Sequence, residues 1–430
     1  MNRRMYKEFN EVIYSETLKN GLTVKIIPKR EYSSVYTVLF ADYGSNDHVI
    51  RLSGDSDAKT YPFGVAHFLE HKLFESEEGD ISEVFSSQGA SVNAFTSNTK
   101  TAFMCSFTRN VKKNIDTLLD FVQTPFFDEQ SVEDEKNIIT QEIQMYKDDP
   151  DWVSTQGLIE NLYPNHPVRI DVAGTPDSVS QITTDMLREN HQIFYHPSNM
   201  QVIVVGNIDP EEASQWIFDN QGKKVYPAPL EIEHKETEEK DESIIKNREV
   251  HLPVNLPKVS VGVKGHSLGL TENQAFHQMI CMEIILDLLF GETSLTYLNL
   301  YNENLIDDSF SYEYVFERGF DYVSIGGDSR SPEELARRIK DVLANASASP
   351  DLTPEHFSLI QKKLTGEYIQ DLNSLGYIAH QFVDMPLQTL SIFDYLEVLE
   401  TITFEELKNI SLNYFQAEHL SVFTVLPRLK

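Results

Sequence analysis

The feature that most constrains the fold of this chain is a faint internal repeat at a constant offset of 220 residues. The segment I-T-T-D-M-L at 182–187 aligns with I-T-F-E-E-L at 402–407, and apolar positions after each segment also align. At the same offset, residues 91–107 align with residues 311–327, and both stretches read as two β-strands. The repeat indicates one α+β domain that is used twice.

The spacing of apolar residues describes the first copy in more detail. It predicts strands at 21–28, 35–40, 91–96, 101–107 and 201–205, and helices at 64–74, 111–122, 128–147 and 183–195. A charge run without apolar periodicity, K-E-T-E-E-K-D-E-S, follows at 235–243 and is typical of an exposed linker. We therefore expect two homologous domains in tandem, each a mainly antiparallel β-sheet packed with helices. Their predicted bounds are 1–220 and 251–430, with the charged linker at 221–250.

Composition excludes several classes of protein. The 430 residues carry 36 basic and 67 acidic side chains, a net charge of −31, which disfavours binding to nucleic acid or to an anionic membrane. The two cysteines, Cys105 and Cys281, are too few for a disulfide framework or an all-cysteine zinc site. The N-terminus lacks a signal-like apolar core, and no apolar run reaches about 18 residues. We expect a cytoplasmic protein.

One predicted helix carries a cluster of polar residues. The stretch G-V-A-H-F-L-E-H-K-L-F at 64–74 places His67, Glu70 and His71 at i, i+3 and i+4, on one face of a helix. Two imidazoles can hold a zinc ion, and a nearby carboxylate can take a proton from the attacking water. The simpler interpretation is a solvated helix face. The repeat argues against a structural need for these residues, because the second copy has Asp287, Phe290 and Gly291 there.

A third metal ligand is expected on the long predicted helix at 128–147. Its acidic residues include Glu133, Glu135 and Glu142, and the last two lie two helical turns apart on one face. At the repeat offset, Glu135 recurs as Glu355, whereas Glu142 is replaced by Lys362. The carboxylate that the metal-free copy lacks is therefore Glu142. We prefer Glu142 as the third metal ligand over the alternative that it is an ordinary surface residue.

These residues resemble the pitrilysin/insulysin family of zinc metallopeptidases, which carries the inverted motif H-x-x-E-H, and especially its short processing-peptidase branch. The resemblance covers nearly the whole chain. It is carried by H-F-L-E-H at 67–71, N-A-F-T at 93–96, E-K-N-I-I-T-Q-E-I at 135–143 with D-D-P after it, A-G-T at 173–175 and Y-H-P-S-N-M-Q-V-I-V-V-G-N-I at 195–208. Family members close as a clamshell, and this chain would be one half.

The resemblance also implies roles for single residues. His67, His71 and Glu142 would hold one zinc ion, Glu70 would be the general base, and Glu135 would be a supporting acid near the site. Manganese or cobalt would suit the same ligands. Family members bind the peptide as an added strand against a sheet edge, which here carries Asn93, Ala94 and Thr96; without the resemblance, Asn93 and Thr96 read as an ordinary turn and strand.

One stretch departs from the family pattern. Active members carry an Arg and a Tyr seven residues apart in the second domain, where they bind the substrate carbonyl. The corresponding stretch here, L-Y-N-E-N-L-I-D-D at 300–308, places Tyr301 and Asp308 at those positions. We expect a partner, either a second copy or a related subunit, to supply the missing pair.

Three functions remain open after this reasoning. The first is a zinc-dependent endopeptidase that hydrolyses short or unfolded peptides in a closed chamber. The second is a non-proteolytic scaffold or peptide-binding subunit, although the four motif residues are intact. Hydrolysis of another amide bond would use the same groups.

Overall fold

The structure, a computed structural model, describes residues 1–54, 56–234, 243–266, 269–385 and 389–428. The chain forms two α+β halves, each built on a mainly antiparallel sheet covered by helices. The predicted fold class is confirmed. Within the described residues, no helix combines the length and the apolar character that crossing a membrane requires.

The first half is built on a seven-stranded sheet. Its strands are β1 (Asn2–Tyr6), β2 (Glu11–Thr17), β3 (Thr23–Pro28), β4 (Val35–Ala41), β9 (Ala90–Thr96), β10 (Thr101–Phe107) and β11 (Met200–Gly206). They lie in the order β1-β2-β3-β11-β4-β10-β9, and only the β3–β11 pair within this sheet is parallel. Short strands outside it are β5 (Val49–Leu52), β6 (Lys59–Thr60), β7 (Glu75–Ser76), β8 (Gly79–Asp80) and β12 (Ile232–His234).

Helices cover this sheet and extend beyond it. They are α1 (Val65–Leu73), α2 (Ile81–Gln88), α3 (Val111–Gln123), α4 (Glu129–Asp148), α5 (Pro150–Leu162), α6 (Pro176–Ser180), α7 (Thr184–Phe194) and α8 (Pro210–Gln221). The strands and helices that the sequence predicts for this half are confirmed to within about two residues at each end.

The second half repeats the strand arrangement of the first. Its strands are β13 (Asn247–Leu252), β14 (Lys258–Lys264), β15 (Ser311–Glu317), β16 (Phe320–Asp328) and β17 (Leu420–Pro427), in the order β13-β17-β14-β16-β15. The first sheet has the same order in β3-β11-β4-β10-β9, and the β13–β17 pair is parallel as the β3–β11 pair is. The two sheets therefore share one topology, as the sequence repeat indicates.

The helices of the second half are α9 (Glu272–Phe290), α10 (Leu295–Asn302), α11 (Pro332–Ala344), α12 (Pro354–Asp371), α13 (Leu375–Asp384), α14 (Tyr395–Thr401) and α15 (Phe404–Tyr414). The predicted linker at 221–250 contains β12 and the first residues of β13. Residues 235–242 of its charge run lie outside the described residues. The boundary between the two domains stays a prediction.

One helix from each half packs on the sheet of the other half. Helix α5 packs on β14 and β17 of the second sheet, and α13 packs on β4 and β11 of the first. The approach of α5 requires a glycine, because a Cβ atom at Gly157 would lie 2.3 Å from the Phe423 ring. Successive side chains of β4 point to opposite faces of the sheet: Val38 and Phe40 belong to the core shared with the second half, whereas Leu39 belongs to the core that includes apolar residues of α1 and α3.

Candidate metal centre

Helix α1 carries the predicted motif, and the side chains of His67 and His71 are half-buried. It begins after Gly64, whose φ of 89° is left-handed and favours glycine. A Cβ atom at Gly64 would lie 2.4 Å from the carbonyl oxygen of Ala173, so the A-G-T segment rests on the start of the helix. The apolar side chains of α1 are buried in the core of the first half; they are Val65, Ala66, Phe68, Leu69 and Leu73.

Helix α4 lies against α1 and supplies two acids. The carboxylate of Asp128 caps it by accepting from the Ser131 amide at 3.0 Å. Fully buried Lys72 of α1 donates to the Ser131 hydroxyl at 2.8 Å and pairs with Glu75. Buried Val132, Ile139 and Ile143 complete the apolar face of α4. Packing and the Lys72 contact together fix α4 beside the motif helix.

The donor atoms of His67, His71 and Glu142 meet between these two helices. The Nε2 atom of His67 lies 3.8 Å from one Glu142 carboxylate oxygen, and Nε2 of His71 lies 3.7 Å from the other. One donor atom from each residue lies within 4.8 Å of the other two. Ligands about 2.1 Å from a tetrahedral zinc ion are about 3.4 Å apart. The cluster therefore has the dimensions of a metal site.

Glu135 orients one of the two imidazoles. The Nδ1 atom of His71 lies 2.9 Å from a Glu135 carboxylate oxygen, so Nδ1–H donates and Nε2 faces Glu142. Burial lowers the pKa of His71, but the hydrogen bond and charge of Glu135, with the charges of Glu70 and Glu142, raise it overall. A carboxylate behind a metal-binding imidazole is a recurrent arrangement in zinc proteins.

Burial controls the charge of the other two motif residues. It lowers the pKa of His67 to about 3, with a further contribution from His71, so the His67 ring is neutral at pH 7 and keeps a lone pair for a metal. Burial also raises the pKa of Glu70, which is only 8% exposed. The Thr96 hydroxyl opposes that rise by donating to Oε2 of Glu70 at 2.6 Å.

The predicted peptide-binding residues lie along a free sheet edge. Strand β9 is the outer strand of the seven-stranded sheet and pairs with β10 on one side. Asn93 is exposed, and Ala94 and Thr96 are half-buried. The hydrogen bond from Thr96 to Glu70 places this edge directly beside the motif helix. A strand edge next to a metal centre can hold an extended peptide through main-chain hydrogen bonds.

The structure thus brings together His67, Glu70, His71, Glu135 and Glu142, while the roles of these residues stay predictions. Two imidazole nitrogens and one carboxylate oxygen match the three protein ligands of a catalytic zinc site. The donor set therefore fits a divalent zinc ion. Among the described residues, no other group of three or more His, Cys, Asp or Glu side chains meets the same distance condition.

The equivalent place in the second half holds an ion pair. Asp287 of α9 accepts from the Lys363 ammonium of α12 at 2.8 and 2.9 Å and from the Tyr312 hydroxyl at 3.0 Å. At the repeat offset, the counterpart of Glu142 is Lys362, the residue before Lys363. Tyr301 and Asp308, where the resemblance leads us to expect the family's Arg and Tyr, are both exposed.

Sequence reasoning missed two contacts that shape the centre. The hydrogen bond from Thr96 to Glu70 joins residues 26 apart and has no local signal. Lys72 does have one, because it shares the apolar face of α1 with Phe68 and Leu69, and a lysine there requires a buried partner. That partner is Ser131, together with Glu75.

Comparison with family models and curated proteins finds relatives along nearly the whole chain. Residues 53–176 match the family model for insulinase (peptidase family M16), and residues 181–364 match the peptidase M16 inactive domain. The uncharacterized zinc protease YmfH of Bacillus subtilis (strain 168) is 43% identical over 423 residues, which cover 98% of each chain.

Solved structures share the fold. A putative M16-like peptidase from Alicyclobacillus acidocaldarius superposes with a TM-score of 0.93 at 35% identity, over 97% of this chain and 99% of that chain. The periplasmic protease PqqL from Escherichia coli superposes with a TM-score of 0.76 at 19% identity, over 97% of this chain but 48% of PqqL. This chain belongs to the insulinase family, peptidase family M16.

Proposed function

We propose that this protein is a zinc-dependent endopeptidase that hydrolyses short or unfolded peptides held as an extended strand. The observation that carries the proposal is the cluster of His67, His71 and Glu142, whose donor atoms lie within 4.8 Å of one another. Glu70 projects from the same face of α1 as the two imidazoles, as a general base for this chemistry must. The names of the relatives as zinc proteases support it.

His67, His71 and Glu142 would hold the metal, which when bound polarises the scissile carbonyl and makes water more acidic. Glu70 then has a separate task. Thr96 holds its carboxylate by donating to Oε2, and Glu70 would take the proton of the attacking water and pass it to the leaving nitrogen. Burial raises the pKa of Glu70, which suits a group that must both accept and release a proton.

The edge of β9 would bind the substrate. An extended peptide aligned with this edge finds main-chain groups along Asn93 and Ala94, and its scissile bond comes next to Glu70 through the proximity of Thr96. Main-chain pairing is insensitive to sequence, so we expect selectivity for unfolded segments rather than for one side chain.

A partner would complete the site. Tyr301 and Asp308 stand where other members carry an Arg and a Tyr for the substrate carbonyl. The chain also spans only about half of PqqL, whose fold therefore has room for two such units. We propose a dimer, with a related subunit or a second copy supplying the pair. Size-exclusion chromatography with and without the partner tests this, and full activity of a purified homodimer would remove the need for a related subunit.

The decisive experiment compares three variants of the full chain. Glu70→Gln removes the base and leaves the three ligands, so peptide cleavage is lost while zinc content stays at that of the wild type. His67→Ala loses both. Glu83→Gln, an exposed acid on α2, is the control and keeps both. Cleavage by Glu70→Gln at the wild-type rate would refute the role of Glu70.

The alternative is a non-proteolytic peptide-binding subunit. The match of residues 181–364 to an inactive domain and the absence of the Arg/Tyr pair favour it. Elemental analysis separates the two functions, since a protein without a stoichiometric divalent metal cannot work as proposed. A digest of a peptide library beside simple amides then identifies the class of bond that is cut.

A further inference from the structure

A contact between the two halves lies close to the end of strand β9, which carries Thr96. Arg318 sits in the tight turn between β15 and β16, beside Gly319, whose φ of 94° is left-handed and suits glycine. From this turn the guanidinium reaches the first half. Its two terminal nitrogens each lie 3.0 Å from one carboxylate oxygen of Asp47, and one of them lies 3.4 Å from Asp42.

The geometry of this contact is that of a strong ion pair. Two parallel N–H···O bonds between a guanidinium and a carboxylate combine charge with a fixed orientation. Asp47 is only 3% exposed, whereas a third of the Arg318 side chain is exposed. Asp47 also accepts from the Gly44 amide at 2.9 Å, so it ties its own loop together. Loss of the guanidinium leaves a buried carboxylate without this cation.

The loop that contains Asp47 lies directly on the turn between β9 and β10. The Ser45 amide donates to the Ser97 carbonyl at 3.1 Å, and the Asn46 amide donates to the Asn98 carbonyl at 2.9 Å. A displacement of the loop therefore displaces the turn.

The tips of the two hairpins also touch directly. The Thr99 hydroxyl donates to the Glu317 carboxylate, the residue before Arg318. Buried Lys100 donates to the main-chain carbonyl of Asp384 in the second half at 2.9 Å. We call the contacts made by Arg318, Glu317 and Asp384 with the first half the hairpin latch. It fixes the β9–β10 turn from the side of the second half.

This turn continues into the residue that contacts the proposed base. Thr96 is the last residue of β9 and precedes Ser97, and its hydroxyl donates to Glu70 at 2.6 Å. Thr96, whose hydroxyl contacts Glu70, is thus directly bonded to the first residue of the latched turn, Ser97. The second half lacks the family's Arg and Tyr at 301 and 308, but it contacts the turn after β9 through the hairpin latch.

We propose that Arg318 is a positioning residue for catalysis: through the hairpin latch it sets the end of β9, and with it Thr96 and Glu70. Arg318 acts through other residues and does not touch the substrate. The second half is therefore a part of the catalytic machinery, although its described residues form no metal cluster of their own. This inference rests on the proposed peptidase function.

The test compares Arg318→Met with Arg318→Lys in the full chain, together with its partner if activity needs one. Methionine keeps a long side chain without charge, and lysine keeps the charge without the two-pronged geometry. Arg337→Met is the matched control, because Arg337 is exposed and, among the described residues, its ion pairs with Glu334 and Asp341 lie within α11. Each variant is assayed for kcat, KM, zinc content and melting temperature.

We expect Arg318→Met to lower kcat by about tenfold to a hundredfold, since small misplacements of catalytic groups cost that much. KM and zinc content stay within about twofold of the wild type, and Arg318→Lys recovers part of the loss. Wild-type kcat in Arg318→Met overturns the inference. So does a fall in melting temperature with no change in kcat, which indicates a purely structural ion pair. If Arg318→Met does not fold, the Lys variant decides by the same criteria.

Amide hydrogen exchange supplies a readout that needs no turnover. The amide of Ser97, which donates to the Lys100 carbonyl at 2.7 Å, is expected to exchange about tenfold faster in Arg318→Met than in Arg337→Met. Equal exchange overturns the latch. A wild-type protein that cleaves no peptide would contradict the proposed function, while the exchange experiment would still decide whether Arg318 holds the β9–β10 turn.

Discussion

The imidazole of His71 donates from Nδ1 to the Glu135 carboxylate at 2.9 Å, while its Nε2 atom faces Glu142 at 3.7 Å. One side chain of α1 is thus held between two acids of α4 that lie two helical turns apart. Glu135 fixes the tautomer of the ring, and Glu142 completes the set of metal-binding donor atoms.

Replacement of Glu135 tests whether this acid supports metal binding through His71. Glu135→Gln keeps the shape but weakens the hydrogen bond and removes the charge, so we expect zinc affinity to fall by about 10- to 100-fold. Competition with a chromophoric chelator measures it. Glu133→Gln is the control, because Glu133 is exposed and pairs with Lys136 on the same helix. Equal affinities of the two variants would show that Glu135 does not support the metal.

The hydroxyl of Thr96 offers a test of how Glu70 is oriented. Thr96→Val removes the hydrogen bond to Oε2 of Glu70 with little change of shape, and we expect kcat to fall by about tenfold with zinc content unchanged. Thr96→Ser retains the hydroxyl and is expected to stay within about threefold of the wild type. If the Ser and Val variants were equally slow, the side-chain methyl and not the hydrogen bond would be the important group.

Metal binding should stabilise the fold. A ligand that binds only the native state at 100 times its dissociation constant adds about 2.7 kcal/mol. We therefore expect chelation to lower the melting temperature of the wild type and added zinc to restore it. His67→Ala should melt at one temperature with or without zinc. Stabilisation of this variant by zinc would place the metal elsewhere in the chain.

The packing of α5 on the sheet of the second half can be tested by a substitution at Gly157. In Gly157→Ala the new methyl group meets the Phe423 ring at 2.3 Å, and we expect a loss of about 1–3 kcal/mol in the free energy of unfolding. Gly366→Ala is the control, because it lies in α12 with no atom within 4 Å of the new methyl and should gain up to about 1 kcal/mol. Urea unfolding measures both. A neutral Gly157→Ala would argue against the tight contact.

The sequence could predict what depends on local spacing. His67, Glu70 and His71 fall on one helical face by their positions alone, and Glu142 emerged because its repeat partner is a lysine. The repeat also predicted that the two halves share one fold, and the common strand order of their sheets agrees with this prediction.

Contacts between distant residues were beyond such reasoning. Arg318 and Asp47 are 271 positions apart, and the sequence around either residue gives no signal that predicts their ion pair. The ion pair between Lys363 and Asp287 joins residues 76 positions apart and likewise has no local signal. The packing of α5 on the sheet of the other half depends on Gly157 and Phe423, whose contact exists only after the two halves have assembled.

The central claim is that His67, His71 and Glu142 together hold a zinc ion. Anomalous diffraction at the zinc edge, from crystals of the full chain grown with zinc, tests it most directly. We predict one strong peak between α1 and α4, about 2.0–2.2 Å from a nitrogen of each imidazole and from an oxygen of Glu142. A map without a peak at this position, with all three side chains ordered, would contradict the claim.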